Sequence, residues 1–419
     1  GGSLETADFG DESFDFVAPA LSDNQTEMGT TLQSIADSGG STITTEVQAL
    51  GSDAAVRSAY NQLSGQSRPS TMPVTVDGTT QFMGLASQRL RAASGVSGRL
   101  PTAPLLAAAT DITGADDTIT DASTSNRSLF TVGRGTQYYS DSRWGFWGKG
   151  FGVWGDREAE GSVSGYDYSI GGSSFGLDHL FTENFTAGLT GGYSNSSIHY
   201  GGSGSAETDI DASYGGLYAG YETSRWYLDN VATYTNLDYE TDRFVTFGGI
   251  DEHIEGSYNG YQIADYLEGG LNVYVRDVLV QPFAAFEFSY LKQEGYSEKG
   301  GSSSLSYDDQ SYESYKGSLG LKLSKYLYRE DDRYVTGQIR GRWIHEFGDT
   351  QPEVSASFAS NPGDSFIISD EDIGRDSASF GMGVKAHWFG QSQLYVDYDV
   401  LLNTDAVSHA LSAGLRYTW

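Results

Sequence analysis

Side chains alternate between an apolar and a polar face from about residue 143 to the C-terminus, and this alternation limits the possible folds more than any other feature. In the final strand, one face is apolar and ends in aromatic residues, whereas the other carries small or polar residues. A half-buried strand of a soluble protein also alternates. Here the pattern repeats in strand after strand without a helix, which predicts a closed barrel with lipid outside and water inside.

About twelve strands are predicted in this region. Polar and charged residues stay on the predicted inner face of successive strands, which a soluble β-sandwich would not require. We therefore predict an all-β fold, a 12-stranded antiparallel transmembrane β-barrel. The predicted strands cover residues 143–154, 166–181, 184–196, 209–222, 225–239, 258–274, 277–291, 312–328, 333–347, 375–388, 392–402 and 406–419.

The connections between these strands alternate in length along the chain. Short turns follow every second strand, and the intervening connections are long and rich in Gly, Ser, Asp and Glu. Long loops on one rim and tight turns on the other are typical of outer-membrane barrels. The predicted long loops cover residues 155–165, 197–208, 240–257, 292–311 and 348–374.

Alternation also predicts which charged side chains face the lumen. In the strand over 375–388, Phe380, Met382 and Val384 share one face, and Lys385 lies on the other. For the first strands, the pattern around residues 146–151 does not decide which face points inward. The charged residues predicted to face the lumen are Glu287, Arg340, Arg342, Glu346, Lys385, Asp397 and Asp399.

Composition excludes several other classes of protein. The chain of 419 residues has 28 Tyr, 20 Phe and 54 Gly, which favours many strands with aromatic girdles over a helical bundle. No run approaches 18 consecutive apolar residues, so a transmembrane helix is not predicted. The net charge of −31 argues against nucleic acid as a partner, and the absence of Cys excludes disulfides, thiolate zinc sites and thiol catalysis.

The residues before the barrel divide into three parts. Residues 1–75 are polar and partly helical, with stripes that predict one helix after Ser22 and another after Ser52. Residues 76–98 form a stronger helix candidate with a cap at Thr79 or Thr80. Residues 99–141 are rich in Thr, Asp and Ser and are predicted to be a flexible linker before the barrel over 142–419.

The sequence shows no catalytic or metal-binding constellation. Its six histidines have no metal-ligand spacing, and it contains no HExxH, GxSxG or Walker motif. We therefore predict that the chain is not an enzyme and has no cofactor.

Several segments of the barrel region resemble the translocator domain of autotransporters, the type V secretion proteins of Gram-negative bacteria. Their order and spacing along the chain are similar to those of the family, and the segment over 59–65 is similar to the junction that precedes its pore helix. The matching segments are Trp147-Gly148-Lys149-Gly150-Phe151-Gly152, Gly171-Gly172-Ser173-Ser174-Phe175-Gly176-Leu177-Asp178, Gly188-Leu189-Thr190-Gly191-Gly192-Tyr193-Ser194, Gly216-Leu217-Tyr218-Ala219-Gly220-Tyr221, Trp343-Ile344-His345-Glu346-Phe347, Leu394-Tyr395-Val396-Asp397-Tyr398 and Gly414-Leu415-Arg416-Tyr417-Thr418-Trp419.

The resemblance implies a twelve-stranded barrel with an α-helix in its lumen, joined to an exported passenger. The helix over 79–95 carries Arg89 and Arg91, which are costly in lipid but suit a polar, acidic lumen. Some members cut their passenger at an Asn in the pore helix, and the segment from Thr79 to Ala93 contains no Asn.

For function, the resemblance implies a monomeric outer-membrane translocator with its N-terminal segment at the cell surface. Its expected partners are outer-membrane lipid, the barrel-assembly machinery and its own passenger. The signal read by that machinery is predicted to comprise Leu411, Leu415, Tyr417 and Trp419, which are also ordinary lipid-facing residues. Two alternatives remain: a porin or diffusion channel with a periplasmic N-terminal segment, and a barrel enzyme with a catalytic cluster in its loops.

Overall fold

The computed structural model describes residues 14–93, 143–159, 163–202, 205–330, 333–370, 372–389, 391–404 and 406–419. Within these residues, the helices are α1 (Asp23–Asp37), α2 (Thr42–Gln48), α3 (Asp53–Leu63) and α4 (Ser67–Ala93). The long strands are β1 (Trp144–Arg157), β2 (Tyr166–Leu180), β3 (Phe185–Tyr200), β4 (Ala206–Glu222), β5 (Trp226–Phe247), β6 (Ile250–Leu271), β8 (Val278–Gln293), β11 (Gln310–Glu330), β12 (Arg333–Glu346), β15 (Asp376–Phe389), β16 (Ser392–Leu402) and β17 (Ala406–Thr418). The shorter strands are β7 (Val273–Val275), β9 (Tyr296–Ser297), β10 (Leu305–Tyr307), β13 (Glu353–Phe358) and β14 (Asn361–Ser369).

The twelve long strands close into one antiparallel barrel. Each pairs with the next long strand in the sequence, and β7 adds a short extension beside β8. The first and last strands complete the ring, since β1 pairs with β17 from Gly145↔Thr418 to Arg157↔Ala406. Among the described residues, closure leaves no unpaired edge among the twelve long strands. The predicted all-β class and twelve-stranded barrel are therefore confirmed.

The outer face of the barrel is an apolar belt. Leu189, Leu217 and Phe380 are each exposed by 58% or more, and Met382 and Ile339 are similar. Continuous exposed apolar surface of this extent requires a nonaqueous solvent. The described helices, by contrast, include none that is both long and apolar enough to cross a membrane.

The structure assigns the inward face of the first strand, which the sequence left open. Trp147, Lys149 and Phe151 point inward and are buried, whereas Phe146 and Trp154 are exposed on the outside. Glycine at alternate positions of β1 had made its two faces look equally apolar.

One polar pair interrupts the outer belt. Asn230 on β5 and Asp265 on β6 lie among lipid-facing residues such as Leu228 and Leu267. Asn230 Nδ2 donates to both carboxylate oxygens of Asp265 at 3.0 Å and to the carbonyl oxygen of Tyr266 at 3.2 Å. The two half-buried side chains thus satisfy much of each other's hydrogen-bonding capacity where water is scarce.

The prediction of a loop over residues 240–257 is wrong. The two strands continue as a hairpin, with β5 and β6 in register from Trp226↔Leu271 to Phe247↔Ile250. Gly248 adopts a positive φ of 53° at the tip, which a glycine accommodates without steric cost. Alternation continues to the tip, so this hairpin extends well beyond the apolar belt.

The predicted loops over 292–311 and 348–374 also contain regular structure. They form a separate four-stranded sheet in the order β14-β13-β10-β9. This sheet packs with α1–α3 at the long-loop rim, and we call these seven elements the rim subdomain. Its buried core includes Phe16, Met28, Leu32, Ile35, Ile43, Val47, Val56, Tyr60, Leu63, Leu305, Val354, Phe358, Phe366 and Ile368.

Side-chain caps explain where the first three helices begin. Ser22, Ser41 and Ser52 each accept a hydrogen bond from a backbone N–H in the first turn of the following helix. The predicted helices after Ser22 and Ser52 are confirmed as α1 and α3. The intervening α2 was not predicted because its seven residues are too few to show a helical period.

The fourth helix begins earlier than the sequence suggested. It starts at Ser67, whereas the pattern predicted a start near 76 and a cap at Thr79 or Thr80. Pro73 lies inside this helix and lacks an N–H group, and several β-branched residues surround it, so local propensity is poor there. The barrel encloses the helix, and packing overrides that propensity. The predicted helix end at 98 and the linker over 99–141 lie outside the described residues.

Candidate functional site

The barrel lumen and α4 form the candidate functional site. At the long-loop end, the guanidinium of Arg68 lies over the ring of Tyr258, 3.8 Å from its centroid. Tyr200 donates from its hydroxyl to the carbonyl oxygen of Ser67 at 2.8 Å. These contacts place the start of the helix at the rim that carries the long connections.

The middle of α4 makes both polar and aromatic contacts with the wall. Thr79 Oγ1 donates to Gln262 Oε1 at 2.6 Å. Phe82 stacks on Tyr214 with a centroid distance of 4.4 Å and an interplanar angle of 11°. The helix packs mainly against β2–β5, so it lies off the axis of the barrel.

A buried ion pair holds the other end of α4 near the tight-turn rim. Arg89 Nη2 lies 2.5 Å from Asp178 Oδ1, and both side chains are almost fully buried. Tyr218 donates from its hydroxyl to Asp178 Oδ2 at 2.9 Å, and Trp147 Nε1 donates to the Tyr218 oxygen at 2.7 Å. The carboxylate is thereby compensated by two donors, which a buried charge requires.

The eccentric position of α4 leaves a cavity of about 240 Å³ between the helix and the opposite wall. Glu268 is an anchor of this wall, because it accepts hydrogen bonds from Tyr227 at 2.7 Å and Tyr266 at 2.6 Å and pairs with Lys322 at 2.8 Å. The charged residues that line the cavity include Asp77, Lys149, Glu268, Glu287, Lys322, Arg340, Arg342, Lys385, Asp397 and Asp399.

Three of the predicted lumenal residues come together on this wall. Arg340 Nη1 lies 2.9 Å from Asp397 Oδ1, and its Nη2 lies 2.5 Å from Asp399 Oδ2. Arg340 Nε also donates to Asp399 Oδ1 at 2.8 Å. The cluster joins β12 to β16 across the lumenal face of β15, where Gly381 and Gly383 leave room for the side chains.

The remaining predicted charges occupy separate positions. Glu287 accepts a hydrogen bond from Thr80 of the helix, and Arg342 and Lys385 line the cavity. Glu346 faces the long-loop end instead, where it accepts from Ser314 Oγ at 2.5 Å and from two backbone N–H groups. The side chain of Arg91 lies outside the described residues.

Sequence reasoning missed the partner of Arg89. None of the predicted acids pairs with it; the partner is Asp178, which has the inward parity of β2 but was not considered. Lys149 was also missed, and its Nζ donates to Gln88 Oε1 of the helix at 2.7 Å. The alternation of side chains along β2 could have identified Asp178 as inward-facing, whereas only the structure shows that Lys149 faces inward.

The four residues of the predicted assembly signal lie on the outside of the last strand. Leu411, Leu415, Tyr417 and Trp419 are exposed by 45–50%, and the last two rings stack at 6.0 Å. The backbone of Trp419 exchanges two hydrogen bonds with Trp144 on the first strand, at 3.1 and 3.2 Å. In the closed barrel this strand end is therefore paired with β1, while its side chains face lipid.

Comparison with known proteins identifies the family. Residues 146–399 match the model of the autotransporter β-domain, which is more than half of the chain. The chain belongs to this family. Its barrel is accordingly an outer-membrane translocator domain, and a porin or diffusion channel is not favoured.

Two relatives illustrate the reach of this similarity. An extracellular serine protease of Serratia marcescens is 26% identical over 277 residues, which cover 66% of this chain and 26% of that protein. Esterase EstA of Pseudomonas aeruginosa is 27% identical over 220 residues, which cover 51% of this chain and 32% of that protein. The chain thus spans between a quarter and a third of these proteins, and their names assign no activity to the barrel.

Solved structures show the same fold. The translocator domain of the autotransporter NalP from Neisseria meningitidis has a TM-score of 0.52 at 19% identity, over 66% of this chain and 88% of that chain. The β-domain of the Bordetella autotransporter BrkA has a TM-score of 0.50 at 20% identity, over 66% of this chain and all of that chain.

Proposed function

We propose that this chain carries its own N-terminal passenger across the outer membrane and holds it at the cell surface. The path of the chain supports this. The segment before α4 forms the rim subdomain at the long-loop rim, α4 runs the length of the lumen, and β1 begins with Trp144 at the tight-turn rim. The polypeptide therefore passes through its own barrel, as a translocator that has delivered its N-terminal part would.

The lengths of the connections indicate how the barrel is oriented in the membrane and therefore the direction of transport. Tight turns face the periplasm in outer-membrane barrels, and longer loops face outward. The rim subdomain then lies at the cell surface, and the C-terminus lies at the periplasmic rim. A porin with a periplasmic N-terminal segment would require the opposite placement, and a helix such as α4 would obstruct its lumen.

Folding of the rim subdomain supplies a physical reason for one-way transport. Its core combines residues before α4, such as Leu32 and Tyr60, with residues from the long connections, such as Phe358 and Phe366. These two sets can meet only after the N-terminal segment has reached the long-loop rim. Burial of large apolar side chains contributes about 1.5–3 kcal/mol for each, so the exported segment is retained without nucleotide hydrolysis.

Two matched serines test the orientation, since the chain has no Cys. Ser38 is exposed at the end of α1, and Ser224 is exposed in the turn between β4 and β5. In intact cells we expect a membrane-impermeant maleimide to label Ser38→Cys and not Ser224→Cys. Permeabilising the outer membrane should expose Ser224→Cys to the reagent.

The opposite labelling pattern would contradict the proposal and favour a periplasmic N-terminal segment. Labelling of both variants in intact cells would instead show that the barrel does not separate the two rims. The parent chain without Cys measures the background in each case.

The last strand is proposed to be the segment that the barrel-assembly machinery recognises. Before closure, its backbone donors and acceptors are free to pair with another strand, and Leu411, Leu415, Tyr417 and Trp419 supply alternate side chains. Deleting Trp419 should therefore lower the amount of heat-modifiable barrel in the outer membrane. Trp226→Ala is the matched control, because Trp226 is an exposed aromatic at the same rim on β5.

Normal assembly after deletion of Trp419, or an equal loss in both variants, would contradict a special role of the last strand in assembly.

We further propose that the barrel acts as a monomer and that outer-membrane lipid is its other partner. The barrel itself is proposed to perform no catalysis.

A further inference from the structure

The outer surface of the β5–β6 hairpin carries a cluster of side chains that the translocator function does not use. Asp242, His253 and Glu255 each offer one ligand atom, and these atoms all lie within 4.8 Å of one another. His253 Nε2 is 2.7 Å from Asp242 Oδ1, and its Nδ1 is 3.8 Å from Glu255 Oε1. All three side chains are about half or more exposed, so an ion can reach them from solvent.

Strand register places Asp242 and Glu255 in a longer row across the outer face. Asp167, His199, Glu207, Asp242 and Glu255 lie directly opposite one another on β2 to β6 in turn. Three successive members of the row are carboxylates. Like charges directly opposite each other on neighbouring strands are destabilising, and a bound cation relieves that repulsion.

The imidazole indicates the kind of cation. Calcium and magnesium ions prefer sets of oxygen ligands, whereas zinc and similar ions accept imidazole together with carboxylates. The ring of His253 stacks on Phe244 at 4.6 Å with an interplanar angle of 4°, which limits its rotation. For bonds of about 2.0–2.2 Å to zinc, ligand atoms that lie within 4.8 Å of one another must move closer together, which the exposed carboxylate side chains are free to do.

We propose that Asp242, His253 and Glu255 form a binding site for a divalent transition-metal ion of the zinc class. The ion joins β5 to β6 in the hairpin whose tip contacts the rim subdomain, where Gly249 N donates to Glu46 Oε2 at 2.7 Å. Because the ligands converge only in the folded hairpin, metal binding stabilises the β5–β6 hairpin and thereby its contact with the rim subdomain. Neither the autotransporter family assignment nor the passenger role depends on the site.

The site is tested with the full chain, purified in detergent without a polyhistidine tag and titrated calorimetrically with ZnCl2 and, separately, with CaCl2. We expect saturable zinc binding and much weaker calcium binding. His253→Gln should weaken zinc binding by at least about tenfold, since even residues that only orient a ligand cost 10–100-fold. His345→Gln is the matched control, because His345 Nδ1 pairs with one carboxylate, that of Asp376, at 2.9 Å.

The proposal would be overturned by no saturable zinc uptake by the parent chain, by equal affinity for zinc and calcium, or by unchanged affinity in His253→Gln. A loss of binding in His199→Gln with retention in His253→Gln would also overturn it, since the ion would then belong to the neighbouring half of the row. Circular dichroism of each variant distinguishes loss of a ligand from loss of the fold.

Discussion

The lumen and the rim subdomain hold parts of the same N-terminal segment by different forces. Along the lumen, α4 is fixed by a buried ion pair at Arg89, by hydrogen bonds such as that of Thr79 and by one stacked ring at Phe82. At the rim, α1–α3 bury continuous apolar surface around residues such as Met28 and Leu32, both fully buried. Other side chains of α4 are buried in apolar clusters with the barrel wall, so the helix in the lumen combines charged and polar contacts with apolar packing, whereas apolar packing dominates in the helices outside it.

This difference follows from what each region must do. A lumen through which polypeptide passes needs polar groups in its lining, because a wholly apolar lining would retain the passing chain. Polar contacts are specific in geometry but individually worth only about 0.5–1.5 kcal/mol after exchange with water. The rim subdomain lies outside the lumen, so it can use the hydrophobic effect that stabilises ordinary soluble domains.

Removing the partner of Arg89 should produce the largest effect. Asp178→Ala leaves a buried guanidinium without its carboxylate, which costs about 3–5 kcal/mol. We expect a lower free energy of unfolding for the barrel and a higher ion conductance, because the end of α4 is no longer held. Denaturant titration and planar-bilayer recording measure the two quantities.

Asp209→Ala serves as the control for Asp178→Ala, since Asp209 is exposed on the outer face of β4. It should change stability by less than about 0.5 kcal/mol. Equal behaviour of the two variants would show that the ion pair does not hold the helix.

A cavity in the rim subdomain should separate the stability of the two regions. Leu32 is fully buried, so Leu32→Ala should destabilise this subdomain by about 2–5 kcal/mol. We expect faster proteolysis of the rim subdomain while the barrel keeps its heat-modifiable mobility on gels. Leu21→Ala is the control, because Leu21 is 79% exposed. Loss of the barrel in step with the subdomain would mean that the two regions unfold as one.

Disrupting the Arg340 cluster on the cavity wall should lower the stability of the barrel and leave α4 in place. Arg340→Met removes hydrogen bonds to Asp397 and Asp399 and should cost about 1.5–3 kcal/mol. It also leaves excess negative charge beside the cavity, so the residual current should become more cation-selective in reversal-potential measurements. Lys325→Met, which breaks an exposed pair with Asp277, should change neither quantity appreciably. An unchanged reversal potential in Arg340→Met would show that the residual current does not pass through the cavity beside Arg340.

The smallest expected effect concerns pH at the rim. Burial alone would raise the pKa of Glu252, but hydrogen bonds from the backbone N–H groups of Ser303 and Ser302 and from the Ser302 hydroxyl outweigh it and lower the pKa below its ordinary value of 4.5. The resulting stabilisation is fully present above pH 4.5 and is lost as the pH falls through the lowered pKa of the folded state.

Glu252→Gln should therefore remove less than about 1 kcal/mol near neutral pH, and the difference from the parent chain should shrink in strong acid. Protease protection of the connection between β9 and β10, compared at both pH values, measures this. A difference between the two chains that persists or grows in acid would contradict the assigned hydrogen bonds.

Predictability from sequence differed among the elements for identifiable reasons. The outward faces of β15 to β17 were predicted because Phe380, Val396 and Leu415 alternate with polar residues. Alternate glycines in β1 hid its inward face. The hairpin over 226–271 was predicted to be shorter, because acidic residues toward its tip resemble a solvated loop when only hydrophobicity is considered.

The amino-acid sequence by itself determined the class of fold and the family, because a period of two residues, repeated in strand after strand, allows few closed structures. Only the tertiary structure decided which charges meet. The pairing of Arg89 with Asp178, the cluster around Arg340 and the cluster around His253 each bring together residues from different strands or helices. Barrel register and the position of α4 bring them together, and neither quantity can be read from the spacing of residues along one strand.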